Sequence, residues 1–263
     1  MDNLFIEKMP LYYEAEKSQL ILGDIFKILV KMKRESVDMI FADPPYFLSN
    51  NGITCKGGKM VSVNKGSWDR LSDNGTSIEE KHKFNRKWIK LCKKVLKPNG
   101  TIWISGTMHN IYSVGMALEQ EGFKIINNIT WQKTNPPPKL ACRCFTHSTE
   151  TILWAQKNDK KSHHFFNYEL MKTLNAGKQM KDVWTGSLTK PSEKKCGKHP
   201  TQKPEYLLER IIQASTVPGD IVFDHFCGSG TTGVVANRLG RNFIGIDLSE
   251  EYLQITKKRL EAI

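Results

Sequence analysis

Residues 220–247, DIVFDHFCGSGTTGVVANRLGRNFIGID, constrain the fold more than any other stretch of the chain. An apolar run ends at Asp224, a glycine-rich turn follows (Gly228, Gly230, Gly233), then a helical segment, then a second apolar run ending at Asp247. Glycines let a backbone approach a ligand closely and let a helix pack tightly on a strand. An acid closing the second strand suits the two hydroxyls of a ribose. The unit therefore reads as a nucleoside-binding βαβ. Gly228-x-Gly230-x-x-Gly233 also fits the dinucleotide fingerprint, so a nicotinamide-dependent oxidoreductase is a rival reading. Position argues against it: only sixteen residues follow Asp247. The rest of the sheet must come from the N-terminal part of the chain, and the strand order is permuted.

Seven stretches read as strands: 19–24, 37–43, 100–106, 125–133, 150–157, 220–226 and 241–247. Several are near-continuous apolar runs, as expected of strands covered on both faces. Helical periodicity falls between them. In 79–96, Phe84, Trp88, Leu91 and Val95 share one face, and 110–121, 204–214, 231–239 and 249–261 are further helices. Such alternation predicts an α/β sheet with right-handed crossovers. Residues 47–78 and 158–200 break the rhythm. The first is rich in Gly, Ser, Asn and Lys without a period; the second is polar and basic with interspersed aromatics and reads as an insertion rather than core.

Thirty-nine Lys and Arg face 27 Asp and Glu, a formal charge of +12 that points to a polyanionic partner, nucleic acid first. No apolar run is long enough to cross a bilayer and no signal peptide is evident, so the expected location is the cytoplasm, with no membrane partner. The six cysteines form no disulfide framework, and Cys142, Cys144 and His147 match no common zinc spacing. Reduced thiols and no metal are expected.

The tetrapeptide Asp43-Pro44-Pro45-Tyr46 follows the apolar run ending at Ala42. It puts a carboxylate and a free backbone carbonyl, stiffened by proline's fixed φ, at the carboxyl edge of a sheet. Two adjacent acceptors match the two hydrogens of an exocyclic amino group. Such an amine is a poor nucleophile because its lone pair is delocalised into the ring. Hydrogen bonds to both N–H groups draw the nitrogen towards tetrahedral geometry and free the lone pair. Tyr46 would offer an extruded base a flat stacking face, a role that needs its ring and not its hydroxyl.

With DHFCGSG later in the chain, the tetrapeptide resembles the β class of amino-directed DNA methyltransferases, which use S-adenosylmethionine. FADPPYFLSN, NITWQKTNP, THSTETILWA and KHPTQKPEYLLERII together resemble the smaller N6-adenine methyltransferase of Dpn-type restriction systems, which modifies GATC. The likeness covers nearly the whole chain. It implies a Rossmann-like S-adenosylmethionine-dependent methyltransferase fold: a seven-stranded mixed sheet flanked by helices, with a target-recognition insertion. The implied division is residues 1–133 for the N-terminal half of the catalytic domain, 134–198 for a strand plus the recognition insertion, and 199–263 for the cofactor-binding half.

The resemblance makes Asp43, Pro44, Pro45 and Tyr46 the catalytic motif. It implies that Asp224, Phe226, Gly228 and Gly230 hold the methionine part of the cofactor, and Asp247 its ribose. Asp24 would lie near the cofactor's adenine, and Thr201 and Lys203 near its carboxylate. His225 and Cys227 depart from the family pattern, which usually has Pro and a larger apolar residue there. DNA contacts would come from Lys56, Lys65 and Trp68 in the loop after the tetrapeptide, and from Arg143, Lys178, Gln179 and Lys181 in the insertion. An Asp opening the tetrapeptide usually accompanies N6-adenine, so N4-cytosine or another amino group stays open as the alternative. A homodimer and a cognate restriction endonuclease sharing the site are further partners the resemblance leaves open.

Overall fold

Alternation along the strands builds two apolar layers. In β3 (Val37–Ala42), Met39 and Phe41 face one layer while Ile40 and Ala42 face the other. In β6 (Leu96–Gly106), Trp103 joins the first layer and Ile102 and Ile104 the second. The fold comes from a computed structural model, which describes residues 4–47, 53–56, 59–62, 77–160 and 162–263.

The remaining strands are β1 (Tyr13–Ala15), β2 (Ser18–Leu22), β4 (Ile53–Lys56), β5 (Lys59–Ser62), β7 (Phe123–Lys133), β8 (Thr149–Lys157), β9 (Val183–Gly186), β10 (Ile221–Asp224) and β11 (Asn242–Asp247). One sheet has the order β1-β2-β11-β10-β3-β6-β8-β7-β9. Strands β2, β11, β10, β3 and β6 are mutually parallel. Antiparallel β8 lies between β6 and β7, and β9 runs parallel to β7. The carboxyl ends of β3, β6, β7, β9, β10 and β11 thus share one edge with the amino end of β8.

Helices α1 (Ile25–Leu29), α2 (Ile78–Val95) and α3 (Ile111–Gln120) lie nearest one apolar layer; α4 (Tyr168–Leu174), α5 (Glu205–Ser215), α6 (Thr231–Arg238) and α7 (Glu250–Glu261) contribute to the other. Helix α2 starts where Ser77 and Glu80 form a reciprocal capping box, and it buries Trp88, Ile89, Cys92 and Val95. In the opposite layer Trp103 stacks on its cross-strand partner Trp154, with ring centroids 4.7 Å apart.

All seven expected strands are present, but the sheet has nine. The first addition, β1, is a three-residue strand on the β2 edge. The second, β9, corrects the reading of 158–200 as lying outside the core. It pairs with β7, and Trp184 on it and Met171 on α4 are buried in the α5 layer. Inside 47–78, where no period was visible, β4 and β5 form an antiparallel pair.

From β10 the chain crosses to β11 on one side, and from β3 to β6 on the other. The crevice between the carboxyl ends of β3 and β10 is therefore the topological switch point, where open α/β sheets bind ligands.

Candidate active site

Asp43 continues the phase of Met39 and Phe41, so it stands above the α5 layer at the end of β3. Three more polar residues do the same on successive strands: Ser105 above Trp103, Glu150 on the side of Ile152, and Lys133 on the side of Trp131. Lys203, just before α5, meets them from the helix side.

The contacts are close. Oδ1 of Asp43 accepts from the Tyr46 hydroxyl at 2.6 Å and from Ser105 Oγ at 2.5 Å. Oδ2 is paired with Lys203 Nζ at 2.5 Å. The same ammonium lies 3.1 Å from the Tyr46 hydroxyl and 3.6 Å from Glu150 Oε2. Lys133 holds the other oxygen of Glu150 at 2.7 Å. Two carboxylates and two ammonium groups therefore balance.

The side chains of Lys203 and Asp43 are only 7% and 15% exposed. Burial alone would raise the Asp43 pKa. The Lys203 charge, with the hydrogen bonds from Lys203, Ser105 and Tyr46, outweighs it and holds the carboxyl below its ordinary value. Lys203 mirrors this: burial disfavours its charge, but Asp43 and Glu150 carry its pKa above the usual value. Burial, then the Asp43 and Glu150 charges, push the Tyr46 hydroxyl well up, so it stays a donor.

Lys203, expected at the cofactor's carboxylate, borders the cleft and has its ammonium on Asp43. Tyr46 is buried rather than open to a stacked base, and its hydroxyl, expected to be dispensable, is part of the network.

A polar chain braces the tetrapeptide from behind. Trp88 Nε1 donates to Asn85, Asn85 Nδ2 donates to Asn110, and Asn110 Nδ2 donates to the Pro45 carbonyl at 3.0 Å. No hydrogen bond among the described residues engages the Pro44 carbonyl. Phe47 then turns the chain through a left-handed φ of +56°.

The glycine turn forms the second half of the site. Gly228 and Gly230 have φ of +53° and +71°, where a side chain is disfavoured. A Cβ on Gly230 would collide with Thr256, and one on Gly233 with the Phe243 ring. Asp224 closes β10 and accepts from Phe226 N at 3.0 Å and Thr232 Oγ1 at 2.6 Å. Asp247 closes β11 and accepts from Gly228 N at 2.7 Å and Ser249 N at 2.8 Å. Burial raises both, Asp224 to about 7. Beneath the turn, buried Arg259 donates to the Ser229 carbonyl at 2.8 Å and pairs with Glu205 at 2.8 Å.

A cleft joins the two halves, and Asp43, Thr201, Lys203, Asp224, Phe226 and Gly228 all border it. Gly230, Asp24 and Asp247 do not. Asp24 caps α1 through Phe26 N at 2.7 Å, and the neighbouring Gly23 N donates to the Asp247 carbonyl at 2.9 Å. The cleft is lined by polar groups that suit a polar ligand. It has a positive-φ cradle, and the Gln202 side-chain carbonyl is buried there without a partner among the described residues.

Sequence reasoning missed Ser105, Lys133, Glu150, Gln202 and Arg259. For the first three a signal existed: each continues the buried-face alternation of its strand with a polar side chain.

His225 points away from the cleft, packed against Trp88 and Phe223 and 3.7 Å from Cys92 Sγ; burial lowers its pKa to about 3. It fills core space. Burial pushes the Cys92 and Cys227 thiols well up, so neither is a ready nucleophile. Among the described residues no cluster suits a metal ion.

Arg143 is exposed on the loop between β7 and β8, at the sheet edge where β7 ends and β8 begins. Lys178, Gln179 and Lys181 are exposed too, but they precede the amino end of β9 on the flank of the sheet, apart from Arg143 in the topology. Lys65 and Trp68 lie outside the described residues; Lys56 is on β4, but its side chain is outside them.

A family model described as DNA methylase matches residues 37–258. The chain is 73% identical over 251 residues to the Type II methyltransferase M2.DpnII of Streptococcus pneumoniae, covering 95% of this chain and 92% of that one. It is 72% identical to the Type II methyltransferase M2.LlaDCHI of Lactococcus lactis subsp. cremoris, covering 95% and 91%. The crystal structure of the M1.HpyAVI–SAM complex is similar at a TM-score of 0.67 and 31% identity, covering 92% of this chain and 98% of that one.

Proposed function

This chain belongs to the DNA methylase family, and we propose that it transfers the methyl group of S-adenosylmethionine to N6 of adenine in DNA, within GATC. The observation that carries the reading is the cleft itself: a carboxylate held anionic at one end, a glycine turn with the Asp224 carboxyl at the other. The sulfonium of bound cofactor supplies an already activated methyl group, so no protein nucleophile is required.

The protein's part is placement and electrostatics. Asp43 and the Pro44 carbonyl accept the two N–H bonds of the amine, and Asp43 stabilises the positive charge that develops on nitrogen. Gly228, Gly230, Asp224 and Phe226 hold the methionine part of the cofactor, Thr201 its carboxylate end, Asp247 its ribose and Asp24 the neighbourhood of its adenine. In-line placement of nitrogen, methyl carbon and sulfur accounts for much of the acceleration.

The adenine reaches this depth by leaving the duplex stack. The 134–148 loop with Arg143, and the segment carrying Lys56, Lys65 and Trp68, meet the DNA; Lys178, Gln179 and Lys181 reach phosphates on the flank. The enzyme works in the cytoplasm, beside an endonuclease sharing its site, and as a homodimer. No helix among the described residues is long and apolar enough to cross a membrane.

Incubation with methyl-labelled cofactor and GATC-containing DNA, followed by base-resolved mapping, yields N6-methyladenine in that sequence. A label on cytosine N4, or none on DNA, overturns the proposal.

A further inference from the structure

We propose that Glu150 is a positioning residue that receives the Lys203 ammonium when the substrate amine takes its place on Asp43; the inference rests on the methyl-transfer reading above. Both oxygens of Asp43 are engaged, Oδ1 by Tyr46 and Ser105, Oδ2 by Lys203. Oδ2, with a single donor, keeps a lone pair that an incoming amine can reach, beside the Lys203 ammonium.

The donors to Oδ1 are neutral hydroxyls on buried residues, one in the braced loop and one on β6. The donor to Oδ2 is a full positive charge on a long side chain. The attacking nitrogen becomes positive during transfer, and a cation left beside it would oppose that charge. Lys203 is therefore the group that must yield.

A buried ammonium does not leave its carboxylate without a new partner. Glu150 Oε2 lies 3.6 Å from the same Nζ. Its other oxygen is anchored to Lys133 at 2.7 Å, so the receiving carboxylate is already fixed. A shift of roughly 1 Å brings Lys203 to the ordinary length of a charge-assisted bond with Glu150. The Tyr46 hydroxyl, 3.1 Å from Lys203 and 3.5 Å from Glu150 Oε2, stays within reach of the ammonium as it moves. Lys203 thus remains paired at every point, and the cluster stays neutral before the amine arrives and after.

The test is single-turnover methyl transfer at saturating cofactor, with cofactor affinity and melting temperature measured alongside. Glu150→Gln slows transfer on the order of a hundredfold and leaves cofactor affinity unchanged. In a Lys203→Met background the same substitution adds no further loss, because the cation it would receive is gone. Wild-type transfer by Glu150→Gln overturns the inference, and so does a loss of equal size with and without Lys203. If Glu150→Gln does not fold, the same cycle is run with Glu150→Asp and judged by the same two outcomes. A wild-type enzyme that labels no DNA overturns the functional reading instead, before any variant is compared.

Discussion

Asp43 and Asp224 close neighbouring parallel strands at the same edge, yet the protein treats them in opposite ways. Asp43 is matched by a buried ammonium and two hydroxyls, and its pKa falls. Asp224 meets only a hydroxyl and a backbone N–H, and burial lifts it to about 7. Asp247, one strand further, follows Asp224: two backbone donors and a raised pKa. The difference separates two uses of a carboxylate. One is kept charged to act on something that becomes positive. The others serve as acceptors that fix the shape of a turn.

The sharpest way to break that comparison is Asp43→Ala. Methyl transfer should fall on the order of a thousandfold or more, while cofactor affinity, measured by titration, survives. Comparable losses in both would merge the two halves into one. Gly230→Ala attacks the other half: a left-handed φ and the Thr256 contact together should cost about 2–5 kcal/mol in urea unfolding, with weakened cofactor binding. An unchanged midpoint would mean that the turn relaxes freely.

The third test uses pH. Asp224, raised to about 7, binds more protons folded than unfolded, so its share of stability is lost as pH rises from the ordinary carboxyl range through 7. His225, lowered to about 3, has the opposite sign: its share is lost as pH falls below the ordinary histidine value towards 3. In the wild type these slopes oppose each other over their shared window. Asp224→Asn should expose the histidine limb and His225→Leu the aspartate limb, each by a few kcal/mol. Parallel pH profiles for both variants and the wild type would rule the assignment out. Smallest is Tyr46→Phe, which removes a donor from Asp43 and should slow transfer roughly tenfold to a hundredfold with cofactor affinity intact. A rate equal to wild type would return Tyr46 to a role played by its ring alone.

What the sequence revealed followed how local each signal was. The glycine turn and the Asp-Pro-Pro-Tyr stretch each announce themselves within a few residues, because φ preferences and a carboxylate ending an apolar run need no distant partner. The charge cluster does not. Its members come from the loop after β3, from β6, β7 and β8, and from the segment just before α5, and only the packing of these elements brings them together. Glu150 was still within reach: it precedes Ile152 and Trp154 in strict alternation, and an acid in the buried phase of a strand needs a cation. Strand β9 had no such mark. Val183-Trp184-Thr185-Gly186 is too short to show a period, and its conformation is set by pairing with β7.

That short strand ties the region proposed to read DNA to the machinery of transfer. Gly186 abuts the Tyr206 ring, the Tyr206 hydroxyl donates to the Ser187 carbonyl at 3.1 Å, and Arg210 lies 5.0 Å from the Trp184 ring centre. Tyr206 and Arg210 both sit on α5, which starts two residues after Lys203. A graft that exchanged this region between relatives would have to carry its helix-side partners along. Otherwise the new reader would arrive with the ammonium displaced, and a change of target would register as a loss of speed.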